Sequence, residues 1–130
     1  MQDRHWNFIS HMIKYCRIII KATQSKTWEQ FEEDIILNMA VVYAILNLGE
    51  LMKNVAETDK SAFSNNIPWK DIVRFRNVAA HGYENIQLPL AWNMATKQIP
   101  QLLTELQQKA AELAKQTEPT EPTENPPKTS

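Results

Sequence analysis

WEQFEEDIILNMAVVYAILNLGELM, residues 28–52, is the stretch that decides the fold. Trp28, Phe31, Ile35, Met39, Val42, Leu46, Gly49 and Met52 recur along it every three or four residues. That interval is about one helical turn, so these side chains share a face. No Pro interrupts the run. Thr27 and Gln30 have the spacing of a capping box, in which each side chain satisfies a free backbone N–H at the helix start. The pattern fits one long helix, or a short one leading into a long one. The acidic run Glu32-Glu33-Asp34 reads as a helix face or an N-terminal turn rather than a carboxylate site.

The same periodicity extends in both directions. Upstream, Trp6, Ile9, Ile13, Cys16 and Ile20 form one stripe, with Phe8, Met12, Tyr15 and Ile19 beside it. Two adjacent stripes predict a helix over about 3–23 that is buried on a wide face. Downstream, 58–68 is polar and reads as a loop. Pro68 suits the first turn of a third helix, where its missing N–H costs nothing. Trp69, Ile72, Val73 and Arg76 lie along that helix, and Gly82 should stop it in the left-handed region. Leu88, Trp92, Ala95, Ile99, Leu102, Leu106, Ala110 and Leu113 mark a fourth helix, which Pro100 should kink.

The expectation is an all-α, antiparallel bundle of four to five helices over 1–116. With only two Gly in 130 residues, a turn-rich β fold is disfavoured. From Thr117 the chain changes to Thr-Glu-Pro triplets without apolar residues, so 117–130 reads as a disordered tail.

Charge excludes a generally basic nucleic-acid binder. The net charge is -1, and the tail holds three Glu against one Lys, which leaves the rest only slightly positive. Any RNA contact must come from a local patch. Cys16 is the single cysteine, so no intramolecular disulfide forms, which suits a reducing cytoplasm. The first residues lack the charged leader and apolar run of a secretory signal. No apolar stretch is expected to reach the ~20 residues that span a bilayer.

The chemistry concentrates in Arg74-Phe75-Arg76-Asn77-Val78-Ala79-Ala80-His81-Gly82-Tyr83. Asn77 and His81, four apart, share a helix face, so Asn77 is placed to hydrogen-bond His81 and fix its tautomer. Arg76 converges on His81 if the helix ends there, as Gly82 suggests. On these residues alone, a surface ion-binding pair or a helix cap is the simpler reading.

Arg76-Asn77-x-x-x-His81-x-Tyr83 nevertheless resembles the signature of the HEPN ribonucleases, specifically the HepT-like toxin branch. Ile67-Pro68-Trp69, Trp92, Ile99-Pro100 before Leu102-Leu103, and the Leu48-Gly49-Glu50 step resemble flanking features of that family. The resemblance covers roughly 3–113. Ala79 and Ala80 are smaller than the aliphatic residues often found there, and Gly82 stands where the family often has an acidic residue.

The resemblance implies a HEPN-like bundle, a homodimer and metal-independent cleavage of RNA with no cofactor. Arg76 and His81 would be catalytic and Asn77 supporting. Cleavage through the 2′-hydroxyl needs a base and an acid, and one motif supplies one His. A two-fold dimer would bring two copies of His81 and Arg76 into one cleft. The resemblance further implies the toxin of a type VII toxin–antitoxin pair. Its partner would be a nucleotidyltransferase antitoxin of the MntA type that transfers AMP to Tyr83, and the dimer could enter a larger hetero-oligomer. The alternative is a non-catalytic HEPN module that binds a nucleotide or serves as the partner subunit of a nucleotidyltransferase.

Other candidates carry less. His5 and His11 are six apart, poor spacing for a metal site on one helix. Cys16 is most simply a small core residue. The four Trp can stack on bases, but aromatics at helical spacing are more often core. Lys53, Lys60, Lys70 and Arg74 can hold a phosphate backbone or form an ordinary solvated surface.

Overall fold

Every described element of the chain is helical. The structure is a computed structural model and describes residues 2–55 and 67–117, the side chains of 2–5 and 116–117 excepted. The elements are α1 (Gln2–Thr23), α2 (Trp28–Glu33), α3 (Ile35–Lys53), α4 (Trp69–Ala80), a 3₁₀ turn (Tyr83–Asn85), α5 (Leu88–Asn93), a π-helical segment (Met94–Gln98) and α6 (Ile99–Thr117). Most of the expected polar loop and all of the Thr-Glu-Pro stretch after Thr117 lie outside the described residues.

The 28–52 run is broken once, at Asp34. Its backbone is extended (φ -97°, ψ 96°), and its carboxylate accepts from the N–H of Leu37 at 3.0 Å. The last acid of the run therefore caps α3, while Glu32 and Glu33 end α2. The Thr27–Gln30 capping box is present, at 3.1 and 2.8 Å.

α3 is the central helix and packs against α1 and α4, with α1 also against α6. Val41, Ala44, Ile45, Leu48 and Met52 of α3 meet Ile9, Met12, Cys16 and Ile19 of α1 and Ile72 and Phe75 of α4 in one core. Each fully buried aliphatic side chain there contributes about 1.5–3 kcal/mol. Trp28, Phe31 and Trp92 cluster at one end of it, with ring centroids 5.0–6.4 Å apart. Cys16 is fully buried, and burial pushes its thiol up to about 12, so it is inert packing.

The sequence expectation of no span-length apolar stretch is corrected by α3, which is long and apolar enough to cross a membrane by length and composition. Asn38, Asn47 and Glu50 interrupt its look without lowering its average far. In the fold, 44% of that apolar window is buried inside the bundle.

The helical ladder changes just ahead of Pro100. The N–H of Ile99 bonds the carbonyl of Met94, five residues back, and the chain takes one π-helical segment before α6. The wider turn sets the ladder just ahead of the residue that has no N–H to give.

Candidate active site: the α4 exit and its seat on α3

α4 ends at Ala80 because His81 and Gly82 leave the helix. His81 is still in the right-handed region (φ -84°, ψ -12°), and Gly82 then turns to φ 145°, ψ 140°. This is an extended backbone of positive φ rather than the left-handed helical stop expected from the sequence. Only Gly adopts it readily. A Cβ on Gly82 would also lie 2.7 Å from the Glu84 carboxylate. The reversal starts the 3₁₀ turn that carries Tyr83 back to the bundle.

Arg76 is held on three sides. A Cβ on Gly49 of α3 would lie 2.5 Å from Arg76 Cβ and 3.0 Å from the Ile72 carbonyl, so the two helices touch there and only Gly fits. Arg76 Nε donates to Glu50 Oε1 at 2.7 Å. Arg76 Nη1 donates to Asn77 Oδ1 at 3.0 Å. The side chain is still 21% exposed, which leaves the guanidinium edge open to a ligand.

Asn77 therefore does not play the part expected of it. Its oxygen accepts from Arg76, and no bond joins it to His81. The competing donor is the Arg76 guanidinium, which takes the Asn77 oxygen from the adjacent position in the chain. His81 is exposed, and its imidazole has no hydrogen-bond partner among the described residues.

Tyr83 is half-buried against the core. Its hydroxyl donates to Asn38 Oδ1 in a short hydrogen bond. Asn38 is 2% exposed, and its amide donates to the carbonyls of Phe31 and Glu32 at 3.2 and 3.4 Å. One buried amide thus ties the end of α2 to the α4 exit. Burial raises the Tyr83 phenol above its ordinary value of 10.0, so the hydroxyl keeps its proton at neutral pH.

Sequence reasoning singled out Arg76, Asn77, His81 and Tyr83 but gave no role to Gly49, Glu50 or Asn38. Two signals were available. A Gly inside a long helix costs about 1 kcal/mol against Ala and needs a packing reason. An Asn between Phe31 and Ile45 on a buried stripe needs partners. Among the described residues no three His, Cys, Asp or Glu side chains are grouped to hold a metal ion.

The arrangement presents a fixed cation one and a half turns from an exposed imidazole. A guanidinium stabilises the charge of a phosphoryl transition state, and an imidazole moves protons near neutral pH.

Comparison with known proteins agrees with this chemistry. The chain is 27% identical over 95 residues to a “Putative RNase” of Caldanaerobacter subterraneus subsp. tengcongensis, covering 73% of this chain and 84% of that protein. It is 26% identical over 102 residues to “Probable ribonuclease HepT” of Thermococcus cleftensis, covering 78% and 92%. It is 30% identical over 108 residues to a “Gamma-glutamylcyclotransferase and putative RNase” of Methanocaldococcus jannaschii, covering 83% of this chain but 48% of that longer protein. No solved structure matches the chain. Residues 12–108, which include the α3 seat and the whole α4 exit, match the ribonuclease HepT-like family, and the chain belongs to that family.

Proposed function

We propose that this ribonuclease is the toxin of a type VII toxin–antitoxin pair, active as a homodimer in the cytoplasm and silenced when a partner nucleotidyltransferase adenylylates Tyr83. The observation that carries the dimer is the outer face of α3. Ile36, Met39 and Tyr43 are 79%, 48% and 67% exposed, although the helix is otherwise the core of the bundle. They continue at helical spacing through Asn47 to Glu50, the residue that holds Arg76. A second copy docked on this stripe by a two-fold axis lies beside both Arg76 seats.

The dimer supplies what one chain lacks. One His81 takes the proton from the RNA 2′-hydroxyl, and the 2′-oxygen attacks phosphorus. The bond to the 5′-oxygen breaks, and the second His81 protonates that leaving oxygen. Arg76 stabilises the extra negative charge on the pentacoordinate phosphorus. The products are a 2′,3′-cyclic phosphate and a 5′-hydroxyl, with no metal ion required.

Adenylylation attaches the Tyr83 phenol oxygen to the α-phosphorus of ATP and releases pyrophosphate. The bond to Asn38 must open first. The added adenylate then brings bulk and negative charge to the α4 exit, where it competes with RNA for Arg76.

Expression of the wild type beside Arg76→Ala and His81→Ala tests this reading. Each variant should fold, lose RNA cleavage by at least a hundredfold and relieve growth arrest. Cleavage that survives His81→Ala overturns the assignment. Intact mass after coexpression with the transferase should show added AMP on the wild type and none on Tyr83→Phe.

A further inference from the structure

On the flank of α4 away from the Arg76 seat lies a cavity of about 450 Å³. Its apolar lining includes Phe75, which is 3% exposed, with Val78 and Leu90 among the side chains around it. Val78 and Leu90 are 38% and 50% exposed, so the slot opens to solvent. Around them stand Asp71, Arg74, Asn85 and Asn93. The side-chain amides of Asn85 and Asn93 make no hydrogen bond to any described residue, and Arg74 forms no ion pair with one. An apolar slot with a few convergent polar groups is the usual form of a small-ligand site. Val78 is one turn before His81 and Asn85 is four residues after it, so the cavity wraps the α4 exit. Lys70, Arg74, Asn77 and His81 follow one another at intervals of four, three and four along the exposed crest of α4.

From this geometry, and resting on the reading that RNA is cleaved at His81, we propose that the cavity holds a nucleobase of the RNA strand, unstacked from its neighbours. Single-stranded RNA is recognised in this way, with a flat base between apolar or aromatic surfaces and polar groups on its edges. Arg74 holds a phosphate of the same strand on the way to His81. Asp71 sets the preference. One of its oxygens accepts from Gln98 Nε2 at 3.2 Å, and as a carboxylate it accepts only. Guanine presents two adjacent donors, N1–H and the 2-amino group. Adenine and cytosine place an acceptor beside their amino group, and uracil offers a single N–H between two carbonyls. Guanine therefore occupies the cavity best.

Binding of uncleavable 2′-O-methyl oligoribonucleotides to the whole protein tests this, with guanine, uracil or no base at each position in turn. One position should lose at least tenfold in affinity when the base is removed, and guanine should bind there more tightly than uracil. The Asn85 and Asn93 side-chain amide resonances should shift with the base-bearing strand and not with the abasic one. Val78→Trp and Leu90→Trp, both at exposed positions, should fill the cavity and each lose about tenfold. Asp71→Asn should abolish the guanine preference. Equal binding of abasic and base-bearing strands, or full affinity in both Trp variants, overturns the proposal. His81→Ala run on cleavable strands separates the two readings. Base-blind binding with His81-dependent cleavage sinks only the base site, whereas base-dependent binding with His81-independent cleavage sinks only the catalytic assignment.

Discussion

Arg76 and His81 lie five residues apart in the chain, and the fold treats them in opposite ways. Arg76 is pressed against Gly49, bonded to Glu50 and bonded to Asn77. His81 stands at the unwound end of the same helix, exposed, with no described partner. The difference suits the two tasks proposed for them. A charge-stabilising group gains from being fixed before the reaction, because preorganised dipoles need not reorganise during it. In the proposed dimer each imidazole serves one oxygen, the 2′-hydroxyl or the leaving 5′-oxygen, and its orientation can come from the substrate or from a second copy of the chain.

The largest effect should come from filling the contact that fixes Arg76. Gly49→Ala puts a Cβ 2.5 Å from Arg76 Cβ and 3.0 Å from a backbone carbonyl, so the α3–α4 pair must separate. Overpacking of this kind costs about 1–3 kcal/mol. The thermal midpoint should fall by roughly 10 °C. A displaced Arg76 should lower kcat by about a hundredfold, since ångström-scale misplacement is enough for that. An unchanged midpoint with full activity would break the contrast between the fixed cation and the free imidazole.

Glu50 should matter less, and in one readout only. Its ion pair with Arg76 is 45% exposed on the Glu50 side, so it contributes under about 1 kcal/mol to stability. Glu50→Ala should leave the midpoint nearly unchanged, yet lower kcat by about tenfold as the guanidinium loses its orientation. Glu50→Gln keeps an acceptor for Arg76 Nε and should recover most of that loss. A purely structural Glu50 would give neither the split between stability and kcat nor the rescue.

Much of the fold is legible from the 28–52 run and its neighbours. Helical spacing follows directly from which residues are apolar, and the stripes it marks on α1 supply core residues Ile9, Met12, Cys16 and Ile19. On α3 the face is misread: Ile35 and Met39 of the marked stripe are 60% and 48% exposed, and the core takes Val41, Ala44, Ile45 and Leu48 instead, because a helix apolar nearly all round does not announce which side is buried. The break at Asp34 is not legible, because a capping Asp and a helix-face Asp read alike until φ and ψ are known. The site was legible as residue types and not as contacts. Arg76-Asn77-x-x-x-His81 shows which groups are present on one helix. It carries no sign that Asn77 turns toward Arg76, because a neighbouring guanidinium and an imidazole one turn on are both donors for the same amide oxygen. Glu50 and Asn38 lie 26 and 45 residues from their partners, and pairings that distant have no local periodicity to announce them.

The smallest effect tests whether Tyr83 belongs with the fixed residues or the free one. Its hydroxyl bonds the buried Asn38, which groups it with Arg76, although it sits two residues from His81. Tyr83→Phe deletes the hydroxyl and leaves Asn38 bonded to the carbonyls of Phe31 and Glu32, so the loss should be only about 1 kcal/mol. The pH profile gives the sharper readout. Burial raises the phenol above 10.0, so the folded chain holds that proton more tightly than the unfolded chain. The stability it contributes is complete below pH 10 and is lost as pH rises through the higher folded value. Ultraviolet titration should therefore show a tyrosinate phase later than 10, absent from Tyr83→Phe and moved to lower pH in Asn38→Ala. A phase that stays late in Asn38→Ala would mean that the surrounding apolar packing alone, and not the bond to α3, restrains the residue.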